Sequence, residues 1–145
     1  MDDIETIRSR LTAADQLAGD LPGVLDAAWE AFDLAQAVCL RCGEQATGLF
    51  AAFAFAAAAA AQGRQLITTA PSLPPTSGTV TGHVASVAAD LDETADGLAS
   101  LAGALTERLS LAASRADDPG DQAACADAAR QARQIYELLA GDPRQ

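Results

Sequence analysis

The chain has 145 residues, half of them apolar but only 4% aromatic, and its formal net charge is −11. Alanine, the strongest helix former, dominates and strand-forming residues are scarce, so the composition argues against a β-rich fold and predicts a single all-α domain. The basic residues are all arginines scattered along the sequence, and an acidic chain without a basic cluster repels nucleic acid and anionic lipid.

The compartment is indicated by the first ten residues, MDDIETIRSR, which are acidic and contain no apolar segment. We therefore expect no secretory signal and a cytoplasmic location, where cysteines stay reduced. The alanine-rich, lysine-free composition suggests a bacterial source with a GC-rich genome.

Helix positions follow from apolar residues that recur at alternating steps of three and four, which is heptad spacing. Glycine and proline clusters interrupt this pattern. The sequence therefore predicts helices at about 3–18, 21–65, 79–116 and 121–140, with a proline-rich loop at 68–79. Gly43 and Gly48 are candidate breaks in the second predicted helix, but the apolar stripe keeps its phase through both, which favours one continuous helix.

These lengths predict an antiparallel helical bundle built on a long hairpin of the second and third predicted helices. The shorter first and fourth helices both fold back over the open end of that hairpin. The tip of the hairpin, about 45–65 with 79–95, is then left as two helices alone.

The predicted tip contains the segment GLFAAFAFAAAAAAQGR, in which thirteen residues, 49–61, have no polar side chain. A helix that is apolar all round is buried on all sides, in protein or in lipid. The uncharged stretch 45–63 is long enough to cross a bilayer, but it holds few large apolar residues and has no flanking basic cluster. Burial within its own chain would require the first or the last helix to reach this tip, and the loops that join them to the hairpin are too short for that.

We therefore expect the tip to associate, as a homodimer or with another helical protein. The predicted contact residues lie on both helices of the tip: Leu49, Phe50, Phe53, Phe55, Val80, Val84 and Val87.

Three cysteines are the most suggestive chemical groups. Cys39 and Cys42 form a C-x-x-C motif, a spacing found in redox and metal sites. Both lie in the middle of a predicted helix, and with Cys125 they occupy stripe positions where a small apolar residue packs. The single histidine, His83, lies too far along the hairpin to complete a zinc site. Core packing is therefore our interpretation, and a soft-metal or small-ligand site at the three cysteines is the alternative.

Catalytic constellations are not readable in the sequence, which shows no nucleophile–base–acid set and no phosphate-binding loop after a strand. A di-iron bundle would need more than one histidine. Trp29 and Phe32 could line a small pocket, but packing explains both. We expect a non-enzymatic protein that acts through association and needs no cofactor, with a membrane-associated helical hairpin as a second alternative.

Overall fold

Four α-helices make up nearly all of the computed structural model, which describes residues 21–45, 50–73 and 91–140. The helices are α1 (Leu21–Gln45), α2 (Phe50–Thr68), α3 (Leu91–Arg115) and α4 (Pro119–Ala140). No strand occurs in these three ranges. The all-α helical bundle predicted from the sequence is thereby confirmed, while the predicted helix at 3–18 lies outside the described residues.

The helices pack as a closed ring in which each contacts two neighbours. α1 packs on α2 and α3, and α4 packs on α3 and α2. Within the described residues, α2 does not touch α3 and α1 does not touch α4, so these pairs are the two diagonals of the bundle. The most extensive contacts are within the pairs α3–α4 and α1–α2, which are neighbours in the sequence.

One helix spanning 21–65 is not what the structure shows. That segment forms two helices, α1 and α2, that lie side by side and pack closely, so the chain reverses direction between Gln45 and Phe50. The physical reason is burial, because a single long helix would carry its alanine-rich half beyond the core, whereas side-by-side packing covers an apolar face of each half.

The predicted hairpin of the second and third helices also needs correction. Ser72, just after α2, bonds to Asp121 at the start of α4, so those two helices run antiparallel. α4 also runs antiparallel to α3, because the short linker 116–118 joins them and Gly103 lies beside Tyr136. α2 and α3 are therefore parallel and diagonal, and only α1 makes the predicted contact with α3.

The core extends along the whole bundle and receives side chains from all four helices. Most of its positions are alanine, which lets neighbouring helix backbones approach closely, and a few large side chains fill the remaining space. The largest fully buried side chains are Phe32, Phe53, Leu25, Leu34, Ile67, Leu98, Leu101, Leu105, Leu109 and Ile135.

The start of α4 is fixed by local capping, which places it at Pro119 rather than at 121. The Asp118 carboxylate accepts a hydrogen bond from the Gly120 amide at 2.7 Å, as an N-cap residue does. Pro119 occupies the first helical position, where its missing N–H would have had no partner. The Gln122 side chain donates to the Ala116 carbonyl at 2.6 Å and ties the helix to the preceding linker.

Candidate functional site

The outward side of α2 is the most unusual surface among the described residues. Phe55 is 61% exposed, the largest exposed fraction of any large apolar side chain there. We define the α2 outer face as the exposed residues that share its side of the helix: Ala51, Ala54, Phe55, Ala58, Gln62 and Gln65. Their spacing of three and four residues aligns them in one stripe, so α2 has an apolar stripe facing solvent.

The inward side of α2 carries a second apolar stripe. Phe53 is fully buried within its own chain, together with Ala56, Ala60 and Ile67. Phe53 thus has no surface to offer a partner, and its assignment as an interface residue is wrong. The reason is that the chain reverses direction before α2, so that α2 packs against α1 and α4. In the predicted two-helix tip, Phe53 would have had only one neighbouring helix.

The other predicted contact residues lie outside what the structure describes. They are Leu49, the side chain of Phe50, and the three valines Val80, Val84 and Val87. Phe55 alone remains from the predicted set. The sequence contained the distinguishing signal, since Phe53 continues the apolar stripe of α1 and Phe55 is two positions out of phase with it.

A close contact between α1 and α2 holds the outer face in place. The buried Phe32 ring of α1 lies directly against the backbone of Gly63 in α2, and a Cβ atom at Gly63 would lie 2.6 Å from Cζ and 2.7 Å from Cδ1 of that ring. Only glycine leaves room for the aromatic ring at this level. Sequence analysis did not single out Gly63, because a glycine in a helix does not by itself reveal which side chain approaches it.

Polar contacts flank this packing. The Arg64 guanidinium donates to the Asp33 carboxylate, with 2.5 Å between Nη1 and Oδ1, and both side chains are partly buried. The same guanidinium carbon lies 5.8 Å from the centre of the Trp29 ring, within the range of a cation–π interaction. Trp29 therefore covers an ion pair between α1 and α2, and Arg64, the single charged residue of α2, is neutralised.

A second polar clamp, just beyond the C-terminal end of α2, fixes this helix to α4. Asp121 is only 2% exposed, and its two carboxylate oxygens accept from the Ser72 amide at 2.9 Å and from the Ser72 hydroxyl at 2.5 Å. A buried carboxylate requires such partners. Next to the clamp, Pro71 lies so close to Gly120 that a Cβ there would be 2.9 Å from Cγ of the proline ring. These contacts therefore fix α2 to α1 on one side and to α4 on the other.

All three cysteines are buried and free, which confirms the interpretation that they fill core positions. Burial raises the pKa of the Cys39 thiol to about 12, and the neighbouring Cys42 adds to that effect. Burial likewise raises the pKa of Cys42, and burial with the nearby Asp121 charge raises the pKa of Cys125 to about 11. Thiols of this kind stay protonated at neutral pH, whereas nucleophiles and metal ligands are thiolates.

The geometry likewise offers no support for a metal centre formed by these cysteines. Across residues 21–45, 50–73 and 91–140, no three histidine, cysteine, aspartate or glutamate side chains come close enough together to hold an ion. His83 lies outside those residues.

Among the helices of the described ranges, none combines the length and the hydropathy required to span a bilayer.

Comparisons with protein-family models, with curated proteins and with solved structures found no match to this chain.

Proposed function

We propose that this protein acts by binding a helix of another protein molecule through the α2 outer face, rather than by catalysis. The observation that carries the proposal is Phe55, a large aromatic side chain held mostly in solvent on a helix whose opposite side is anchored in the core. Aromatic side chains dominate the energetics of protein interfaces and are enriched at their centres.

The surroundings of Phe55 favour contact with a helix. The exposed neighbours Ala51, Ala54 and Ala58 have small side chains, which allow a partner backbone to approach closely. No charged residue belongs to the outer face, although the chain carries a net charge of −11. Interface centres are depleted of charge in the same way, because burying an unpaired charge is costly.

The size of the exposed ring sets the strength of the expected interaction. A phenylalanine buries roughly 150–250 Å² when fully covered, and Phe55 is 61% exposed. Covering the remainder removes roughly 90–150 Å² from water and contributes about 2–4 kcal/mol. Since association itself costs at least about 4 kcal/mol, Phe55 needs the alanines around it, and the expected complexes are of modest affinity.

The support for association over a cysteine-based site comes from the same structure. The thiols of Cys39, Cys42 and Cys125 are buried in the core, and within the described residues they belong to no group of three metal-ligating side chains, whereas Phe55 is exposed.

A photo-crosslinking experiment tests the proposal. A photoreactive phenylalanine analogue in place of Ala58 should give discrete covalent protein adducts in cells that express the chain. The same analogue in place of Ser110, an exposed residue of α3, should not. Adding Phe55→Asp should abolish the adducts from position 58, because a charged side chain cannot be buried at the centre of the contact. Absence of adducts from position 58, or adducts that persist with Phe55→Asp, would refute the proposal.

A further inference from the structure

We infer that residues 1–20 pack as an antiparallel helix along a second apolar stripe of α1, on a side of that helix that α2 does not cover. This stripe, called the α1 second stripe below, consists of Ala27, Ala31, Leu34 and Val38, and all four side chains are buried. The contact is separate from the α2 outer face, so the inference does not rest on the proposed function.

Two large side chains of α1, Phe32 and Leu34, point in nearly opposite directions, and neither is exposed to solvent. They are two residues apart, which turns an α-helix by roughly 200°. Phe32 contacts Gly63 of α2, so Leu34 faces away from α2. On α2 the same spacing separates the buried Phe53 from Phe55, which is 61% exposed. α1 is therefore covered on a side where α2 is open to solvent.

The described helices do not supply this cover. α1 packs on α2 and α3 and does not touch α4. In a ring of four helices the two neighbours of α1 lie about 90° apart, so a side chain turned roughly 160° from the contact with α2 points past α3. Leu34 is nevertheless fully buried within a single chain, and no residue from Gly23 to Cys39 is exposed. A further segment of the same chain must therefore lie beside α1.

Two segments outside the described residues are long enough to provide the cover, 1–20 and 74–90. Ser72 bonds to Asp121, close to the end of α3, so residues 74–90 must reach back over the 25 residues of α3 to its start, which is about 37 Å. Even if all of 74–90 were helical, they would rise only about 26 Å. Residues 1–20 join α1 directly at Leu21 and have no such distance to span.

The apolar residues of the segment 1–20 also match the α1 second stripe in spacing. In both, apolar side chains recur at alternating steps of three and four residues, as in helices that pack together. Gly19, Pro22 and Gly23 favour a turn between the two. An antiparallel alignment about this turn brings four pairs face to face: Ile4 with Val38, Ile7 with Leu34, Leu11 with Ala31, and Ala14 with Ala27.

The segment is also long enough for this contact. A helix over 4–18 rises about 22 Å, whereas the α1 second stripe, from Ala27 to Val38, extends over about 17 Å. A segment packed along this side of α1 cannot at the same time cover the α2 outer face.

Disulfide trapping in the full chain tests the contact and its alignment. Ala14→Cys combined with Ala27→Cys should form an intramolecular disulfide under mild oxidation, because facing small residues bring the two Cα atoms within the distance of about 7 Å that a disulfide tolerates. Ala14→Cys combined with Ala37→Cys is the matched control, since position 37 lies about 15 Å further along α1 and should not crosslink. Peptide mapping by mass spectrometry identifies the bond.

Two results of the trapping experiment would overturn the inference. One is an equal yield of disulfide in the two variants. The other is a crosslink to Ala27→Cys from Val84→Cys rather than from Ala14→Cys, which would assign the cover to residues 74–90.

Thiol labelling tests whether residues 1–20 shield the α1 second stripe. Ala27→Cys should react slowly with a maleimide, and adding Ile7→Asp should speed the reaction by at least about tenfold, because a charged side chain is not retained in an apolar contact. Ser9→Asp, on the opposite side of the predicted helix, is the matched control and should leave the rate unchanged. Equal rates with and without Ile7→Asp would overturn the inference.

The native Cys125 provides an internal reference for this labelling, because it is buried on α4 and should stay unreactive if only the segment 1–20 is displaced. If Cys125 becomes reactive together with Ala27→Cys, the variant has unfolded as a whole. The disulfide yields, which are measured without Ile7→Asp, then decide the outcome.

Discussion

Replacing Gly63 with alanine should destabilise the protein, although alanine is normally the better residue inside a helix. A Cβ atom at Gly63 would lie 2.6 Å and 2.7 Å from two carbons of the Phe32 ring. Favourable contacts between carbon atoms begin near 3.5 Å, so the ring would have to move by roughly 1 Å. Phe32 is fully buried, so any shift of its ring takes place inside the core.

The expected change in the free energy of unfolding for Gly63→Ala is the sum of two opposing contributions. Overpacking of a filled core costs about 1–3 kcal/mol, and the close approach of the added Cβ to a buried ring favours the upper value. The better helix propensity of alanine returns about 1 kcal/mol. We therefore expect Gly63→Ala to lower the free energy of unfolding by about 2 kcal/mol, which corresponds to a fall in Tm of about 4–8 °C.

Gly103 provides a matched control for the same substitution. A Cβ atom there would lie 3.6 Å from the Tyr136 ring, which is an ordinary contact distance. Gly103→Ala should therefore show only the gain in helix propensity, about 1 kcal/mol of added stability. Urea unfolding followed by circular dichroism at 222 nm measures both variants, and an unchanged m-value confirms that the unfolded states are comparable.

The opposite signs of these two effects make the reasoning refutable. If Gly63→Ala is as stable as the parent protein or more so, then α1 and α2 are not in the close contact described above. A double variant gives an independent check, since Phe32→Leu should be less harmful in the Gly63→Ala background than in the parent protein.

Two further predictions concern the polar clamp and the buried thiols. Asp121→Ala should lower the free energy of unfolding by about 1–3 kcal/mol, because the Ser72 amide and hydroxyl would both lose the carboxylate oxygens that accept their hydrogen bonds. Urea titration measures this loss, and an unchanged midpoint would contradict the clamp. The protein should also lose stability between about pH 9 and pH 12, since burial raises the pKa of Cys39 from its usual 9.0 to about 12 and the unfolded chain releases a proton that the folded chain retains. Cys39→Ala should reduce the slope of the free energy of unfolding against pH by up to ~1.4 kcal/mol per pH unit. If the variant and the parent protein lose stability equally over this pH range, the raised pKa of Cys39 does not contribute.

The fold class could be predicted from the sequence because heptad spacing reports directly on helices that share a core. The same spacing could not show where α1 ends. Both arms of a hairpin present an apolar stripe to the same core, so the stripe can keep its phase through Gly43 and Gly48 whether the helix continues or the chain turns back. Only the packing of α2 against α1 distinguishes the two arrangements.

The candidate surface was predictable in part, for a related reason. Phase along the helix separates Phe53 from Phe55 correctly, with the first on the buried stripe and the second outside it. Which helix packs against each stripe depends on the tertiary structure. The spacing of apolar residues therefore could not show that Phe53 is fully buried by neighbouring helices. The pairing of Ser72 with Asp121 is of the same kind, since it joins residues that are 49 positions apart.

The diagonal placement of α2 and α3 has a consequence for how the chain folds. Most contacts lie inside the two pairs α1–α2 and α3–α4, whose members are separated by short segments of sequence. Each pair can therefore assemble early from local encounters, at little cost in loop closure. We then expect docking of one preformed helical pair on the other to limit the folding rate, and this step forms the contacts of α2 with α4 and of α1 with α3.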